Sequence, residues 1–149
     1  MKRELIISII GALLIVMWTY ASLSKLVEFS AFTAQLEKQP LPDWSIPILR
    51  WTLPVVELMT AWFISRKRIL HFGIIMSTLL ITAFTGYVIL ALSGSFGNIP
   101  CSCAGIISQL HWKGHLVFNV FFLVIGLIGI LLSNHQARPD KHKNITVTV

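Results

Sequence analysis

Cys101 and Cys103 are the only cysteines among 149 residues, and a single serine separates them. They lie in the run Gly94-Ser-Phe-Gly-Asn-Ile-Pro-Cys-Ser-Cys-Ala-Gly-Ile106, whose glycines and proline disfavour helix. Residues at i and i+2 can be bridged when the backbone bends between them. The ring so closed is tiny, so a bridge constrains the unfolded chain little and is a poor staple. Strained or exposed disulfides are more oxidising and exchange readily. The pair therefore reads as a redox couple, in which one thiolate attacks a partner's disulfide and the second cysteine resolves the mixed disulfide. Two other chemistries compete. Thiolates select Cu(I) or zinc, and with His111 and His115 they could complete a tetrahedral shell, although the spacing is not a standard zinc pattern. Alternatively the two cysteines form a static clip.

His111, His115 and Asn119 repeat every four residues, so a continuous helix carries them as one stripe. A histidine beside a thiol promotes the thiolate or carries its proton. The competing reading places both histidines at a headgroup interface beside Trp112. Asn119 fits a hydrogen bond between helices. Glu57 is the one acidic residue inside an apolar run. A carboxylate there is costly, faces the bundle interior and is a functional candidate by default. It is either protonated or paired with Lys25 or Arg50, and acts as a proton site coupled to the cysteines or as structural glue. The candidate site is thus Cys101, Cys103, His111, His115 and Glu57.

The elements that must carry these residues are apolar. The chain is 55% hydrophobic and 12% charged, with a mean hydropathy of +0.77, against roughly 25% charged residues in an ordinary soluble domain. Four runs approach the ~20 apolar residues that cross a bilayer: Leu5–Ser24, Ile46–Ile64, Ile69–Leu92 and His115–Leu132. They are continuous rather than alternating, so they predict helices and not a barrel. The expected fold is an all-α membrane protein, a four-transmembrane-helix bundle over residues 1–133, followed by a flexible basic cytoplasmic tail over 134–149. Lys2-Arg3, the first apolar run and the small residues Ala21, Ser22 and Ser24 resemble a signal peptide, but the run is longer than a usual signal core and is expected to stay as the first span. Phe29, Phe32 and Leu36, at i, i+3 and i+7, predict a short amphipathic helix on the membrane surface. Ile106–Lys113 is expected to form a short helix ahead of the fourth span. Thr78, Thr82 and Thr85 share a face of the third, which fits helix packing.

The net charge of +6 is not gathered into one patch, which argues against nucleic acid. One set of flanks holds Lys2, Arg3, Arg66, Lys67, Arg68, Arg138, Lys141 and Lys143; the other holds Lys25, Lys38, Arg50 and Lys113. Positive charge stays inside, so both termini are expected in the cytoplasm of a bacterium, with the cysteine loop facing the periplasm across the inner membrane. That compartment permits disulfide chemistry. Trp18, Tyr20, Trp44, Trp51 and Trp112 would form the outer aromatic belt.

Together these motifs resemble the MauE (methylamine utilisation) branch of DoxX-like integral membrane proteins, over about Leu5 to Leu132. The residues that carry the likeness are Tyr20-Ala-Ser-Leu-Ser-Lys25, Glu57 after Pro54, Cys101-Ser-Cys-Ala-Gly105, and then Trp112, His115, Leu116 and Asn119. The resemblance implies a four-helix bundle working with a thioredoxin-like periplasmic partner, a role that for MauE is linked to maturation of a disulfide-rich dehydrogenase subunit. It is similar in outline to four-helix quinone-linked disulfide oxidases, which makes a quinone the candidate cofactor. Those oxidases carry two cysteine pairs; with one pair here, relay between pairs is not available. Two alternatives from other classes stand beside this one: a non-catalytic scaffold among other membrane subunits, and copper or zinc handling at the outer face.

Overall fold

The computed structural model describes residues 2–93 and 112–134. The described residues fold into five α-helices: α1 (Lys2–Val27), α2 (Phe29–Glu37), α3 (Ile46–Ser65), α4 (Leu70–Leu92) and α5 (Trp112–Asn134). Four of them, all but α2, are long and apolar enough to cross a membrane. Each contains one of the four predicted runs or ends within a residue of it. Trp112, Lys113 and Gly114 belong to α5 itself. The separate short helix expected over 106–113 is therefore corrected at its end, where Trp112 and Lys113 run on unbroken into the fourth span; residues 106–111 lie outside the described residues.

Local sequence sets the boundaries. Pro40 and Pro42 cannot continue α2, and a three-residue 3₁₀ turn, Asp43–Ser45, leads into α3. Pro47 sits in the first turn of α3, where a missing N–H costs nothing. Ser65 ends α3, and Arg66 takes an extended conformation that starts the tight turn to α4.

Register contacts give the topology. His71 Nδ1 meets Ser133 Oγ at 2.7 Å, and Gly126 lies against Thr78 further along, so α4 and α5 are antiparallel. Gly11 faces Ile64, while Lys25 reaches Glu57, so α1 and α3 are antiparallel too. The result is an up-down-up-down bundle. One end gathers the start of α1, the 66–69 turn and the end of α5. The other gathers α2, the 3₁₀ turn, the last residues of α4 and the first of α5. The ends of α4 and α5 that flank residues 94–111 are therefore both at the α2 end; residues 94–111 themselves, with Cys101, Cys103 and His111, lie outside the described residues.

The core is a seam between helices. Leu14 and Ile74 are fully buried, with Ile10, Trp18, Ala61, Ile64 and Ile81 around them. The outer faces carry Val16, Leu79, Val117 and Leu131, each exposed by 60% or more. An apolar exterior of this kind suits lipid rather than water. Glycines allow the closest approaches. A Cβ on Gly73 would stand 2.7 Å from the Ile64 backbone nitrogen, and one on Gly126 2.5 Å from Thr78 Oγ1. Small residues at such crossings are the usual means of packing helices in lipid. The expected packing face of α4 is seen at Thr78 and Thr85, which are buried, while Thr82 is exposed.

Trp18 corrects the aromatic belt. It is 2% exposed, and its Nε1 donates to Ser77 Oγ on α4 at 2.8 Å. An indole on the inward face of α1 packs in the seam and satisfies its N–H across it, whatever its distance from the end of the span. Trp44 and Trp51 are exposed, as a belt requires.

Candidate functional site

The site is built at the α2 end, starting from the one acid in a span. Glu57 is 2% exposed. Lys25, from the last turn of α1, puts Nζ 2.8 Å from Glu57 Oε1 and 3.1 Å from Oε2. The same ammonium donates to the Ala21 carbonyl at 3.1 Å. Its three N–H groups thus have three acceptors, and the pair is closed on itself. Of the two cations weighed as partners, Lys25 takes the role and Arg50 does not. Beside the pair, Ser22 Oγ donates to the Pro54 carbonyl at 2.9 Å, a second tie between α1 and α3.

A cavity of about 320 Å³ opens next to Lys25. Trp18 and Ala21 of α1 wall one side, and Phe32 and Leu36 of α2 cover the end. Both α2 residues are 5% exposed, so the amphipathic helix read from their spacing buries its apolar stripe here. Phe29, the third residue of that stripe, packs against Trp51 with ring centroids 4.8 Å apart and the ring planes tilted by 40°. Phe84 and Tyr87 of α4, and His115, Phe118 and Asn119 of α5, complete the wall. Tyr87 Oη donates to Gln39 Oε1, which pins the chain beyond α2 to α4.

His115 is the second predicted site residue that the structure describes. It stands in the first turn of α5, is 3% exposed, and borders the cavity with Asn119 one turn further on. Its Nε2 is buried and finds no hydrogen-bond partner among the described residues. The expected stripe is therefore real at 115 and 119. His115 and Lys25 share one cavity, and Glu57 lies behind Lys25. The remaining members, Cys101, Cys103 and His111, lie outside the described residues, so of the four candidate metal ligands only His115 is placed. Among the described residues no group of three or more metal-ligating side chains gathers. Gln39 and Tyr87 were not singled out from sequence; an uncharged polar residue between α2 and a proline run carries no signal of its own.

The fold and this geometry define a multi-pass membrane protein whose four spans enclose a buried ion pair and a largely apolar cavity at one end. The family model described as methylamine utilisation protein MauE matches residues 3–132, nearly the whole of the bundle, and the chain belongs to that family. No curated protein and no solved structure matches it.

Proposed function

We propose that this protein is a redox component of the bacterial inner membrane, exchanging thiols and disulfides through Cys101 and Cys103 with a thioredoxin-like partner in the periplasm. The observation that carries the reading is one of position. The chain's only two cysteines, one residue apart, lie between α4 and α5, whose flanking ends meet where His115, on the first turn of α5, buries an Nε2 with no hydrogen-bond partner among the described residues. A thiolate at one cysteine attacks the partner's disulfide, and the other cysteine resolves the mixed disulfide. His111 or His115 carries the proton released or taken up. Glu57, held by Lys25, is the buried acid–base site beneath. Membership of the methylamine utilisation family supports a role in that process; within it we assign this exchange to protein maturation, with other membrane subunits as natural neighbours for so small a bundle.

The test is a trap. With one cysteine replaced, the mixed disulfide has no resolving thiol and should accumulate. Cys101→Ser and Cys103→Ser, expressed separately, should differ: one should hold a covalent adduct with a thioredoxin-like protein on non-reducing gels, and the other should form none. Full function in both variants would sink the proposal.

A further inference from the structure

The cavity beside Lys25 has features that the thiol chemistry does not use. Its volume of about 320 Å³ falls in the range of small-molecule sites, roughly 300–1,000 Å³. Its walls are mostly aromatic and aliphatic, with Trp18, Phe84 and Phe118 among them. Polar side chains are few: Lys25 on α1 is committed to Glu57 and Tyr87 on α4 donates to Gln39, while His115 and Asn119 stand one turn apart on α5. Such a lining suits a flat, largely apolar ring that carries one or two oxygen atoms. The cavity also reaches the side of the bundle. Tyr20 of α1 and Ala83 of α4 border it, and both are exposed on the faces of membrane spans. A ligand dissolved in the bilayer can enter there without crossing water. His115, buried with Nε2 unpartnered among the described residues, is left with a hydrogen bond to make, and an unmade one is costly.

The geometry points to this cavity as the binding site for the ring of a membrane-soluble quinone or quinol, admitted between α1 and α4. The choice of a quinone over another lipophilic ring rests on the redox reading above. Oxidation of Cys101 and Cys103 to a disulfide releases two electrons and two protons, and one quinone takes up both to become the quinol; the reverse reaction reduces the disulfide. The ring is thus the small-molecule half of a balanced couple.

Binding of decylubiquinone to the full-length protein in nanodiscs tests this. The wild type should bind saturably, one molecule per chain. Ala83→Trp, which fills the side opening, should weaken binding by at least about tenfold. His115→Leu should weaken it by about two- to tenfold, the value of one hydrogen bond. Val117→Ala, on the outer face of α5, should bind like the wild type, and so should the Cys101→Ser/Cys103→Ser double variant. Partitioning that never saturates, or that is equal in all variants, overturns the inference. Displacement by oleic acid as effective as by excess decylubiquinone also overturns it, since the cavity then takes any acyl chain. The two readings fail separately. Binding without oxidation of the thiols leaves the site assigned and removes the redox role, whereas a trapped mixed disulfide with no quinone binding does the opposite.

Discussion

Lys25 has three donors and three acceptors, and that closure explains how an ammonium and a carboxylate survive inside a membrane span. Each ion alone would be expensive there, and removal of one partner strands the other. We therefore expect Glu57→Gln or Lys25→Met to destabilise the bundle by about 3–5 kcal/mol, measured as unfolding in detergent. The double variant Lys25→Met/Glu57→Leu should recover most of that loss, because two matched apolar side chains leave no orphan charge. A double variant as unstable as the singles would mean that the pair does more than neutralise itself. Glu57 was legible in the sequence because a lone acid in an apolar run needs a reason. Its partner was legible only as one of two. The geometry of a single helix already disfavours Arg50: seven residues along the same helix is two turns, about 10 Å at 1.5 Å per residue, and Lys25 arrives from the neighbouring helix at contact distance. Trp18 was misread for a related reason. Its distance from the end of the span was visible, and the direction its face of α1 points was not. Trp18→Phe removes the bond to Ser77 and should cost about 1 kcal/mol, the ordinary value for such a bond between helices; Trp44→Phe, on an exposed side chain, should cost almost nothing in the same unfolding assay.

At the scale of elements, the glycines separate what composition reveals from what packing decides. Continuous apolar runs must become helices in lipid, so the four spans could be read directly. The stripe of α2 could be read too, because period alone fixes which residues share a face. Which glycine sits at a crossing depends on how each helix is rotated, and a single sequence does not encode that in any local pattern. Gly73 and Gly86 lie on the same helix in similar company. A Cβ at 73 would meet the backbone of Phe63 and Ile64 at 2.8 and 2.7 Å, whereas one at 86 meets nothing within 4 Å. Gly86→Ala should be neutral or stabilise by up to about 1 kcal/mol, through helix propensity. Gly73→Ala must push α4 away from the end of α3 and should cost several times that amount. Gly126→Ala is an intermediate case with its own control. The obstacle is the Thr78 hydroxyl at 2.5 Å, which already donates to the Ile74 carbonyl. Gly126→Ala should lower the melting temperature, and adding Thr78→Ala should restore much of it, since the clashing oxygen is gone. Failure of that rescue would mean that α4 and α5 cross more loosely than these contacts require.

For the whole molecule, the decisive quantity is the difference between the two ends of the bundle. The end formed by the start of α1 and the 66–69 turn carries Lys2, Arg3, Arg66, Lys67 and Arg68, and Arg66 lies over the Trp62 ring, 5.1 Å from its centroid. The α2 end carries Lys38, Arg50 and Lys113, together with Lys25. Lys25 is committed to Glu57 inside the bundle, so it is a poor topogenic charge, and the asymmetry is sharper than a count of basic residues suggests. The positive-inside rule favours the 66–68 end as the cytoplasmic one; on the reading proposed above, the segment with Cys101 and Cys103 then joins α4 to α5 on the side where thiols meet oxidising machinery. The fold puts the end of α4 and the start of α5, which flank the cysteine segment, at the opposite end from the Arg66-Lys67-Arg68 turn; charge alone selects which end is outside. Membrane-impermeant maleimide applied to reduced, intact spheroplasts should therefore label Cys101 and Cys103 without permeabilisation. In a Cys101→Ser/Cys103→Ser background, Lys67→Cys should be labelled only after the membrane is opened. Replacing Arg66, Lys67 and Arg68 together by glutamine should weaken this difference and yield a mixed population, because the remaining basic residues no longer favour one orientation strongly. The reverse labelling pattern in the unaltered turn would put the cysteines in a reducing compartment, where a labile two-residue disulfide couple would be kept as thiols, and the exchange chemistry proposed for them would lose its setting.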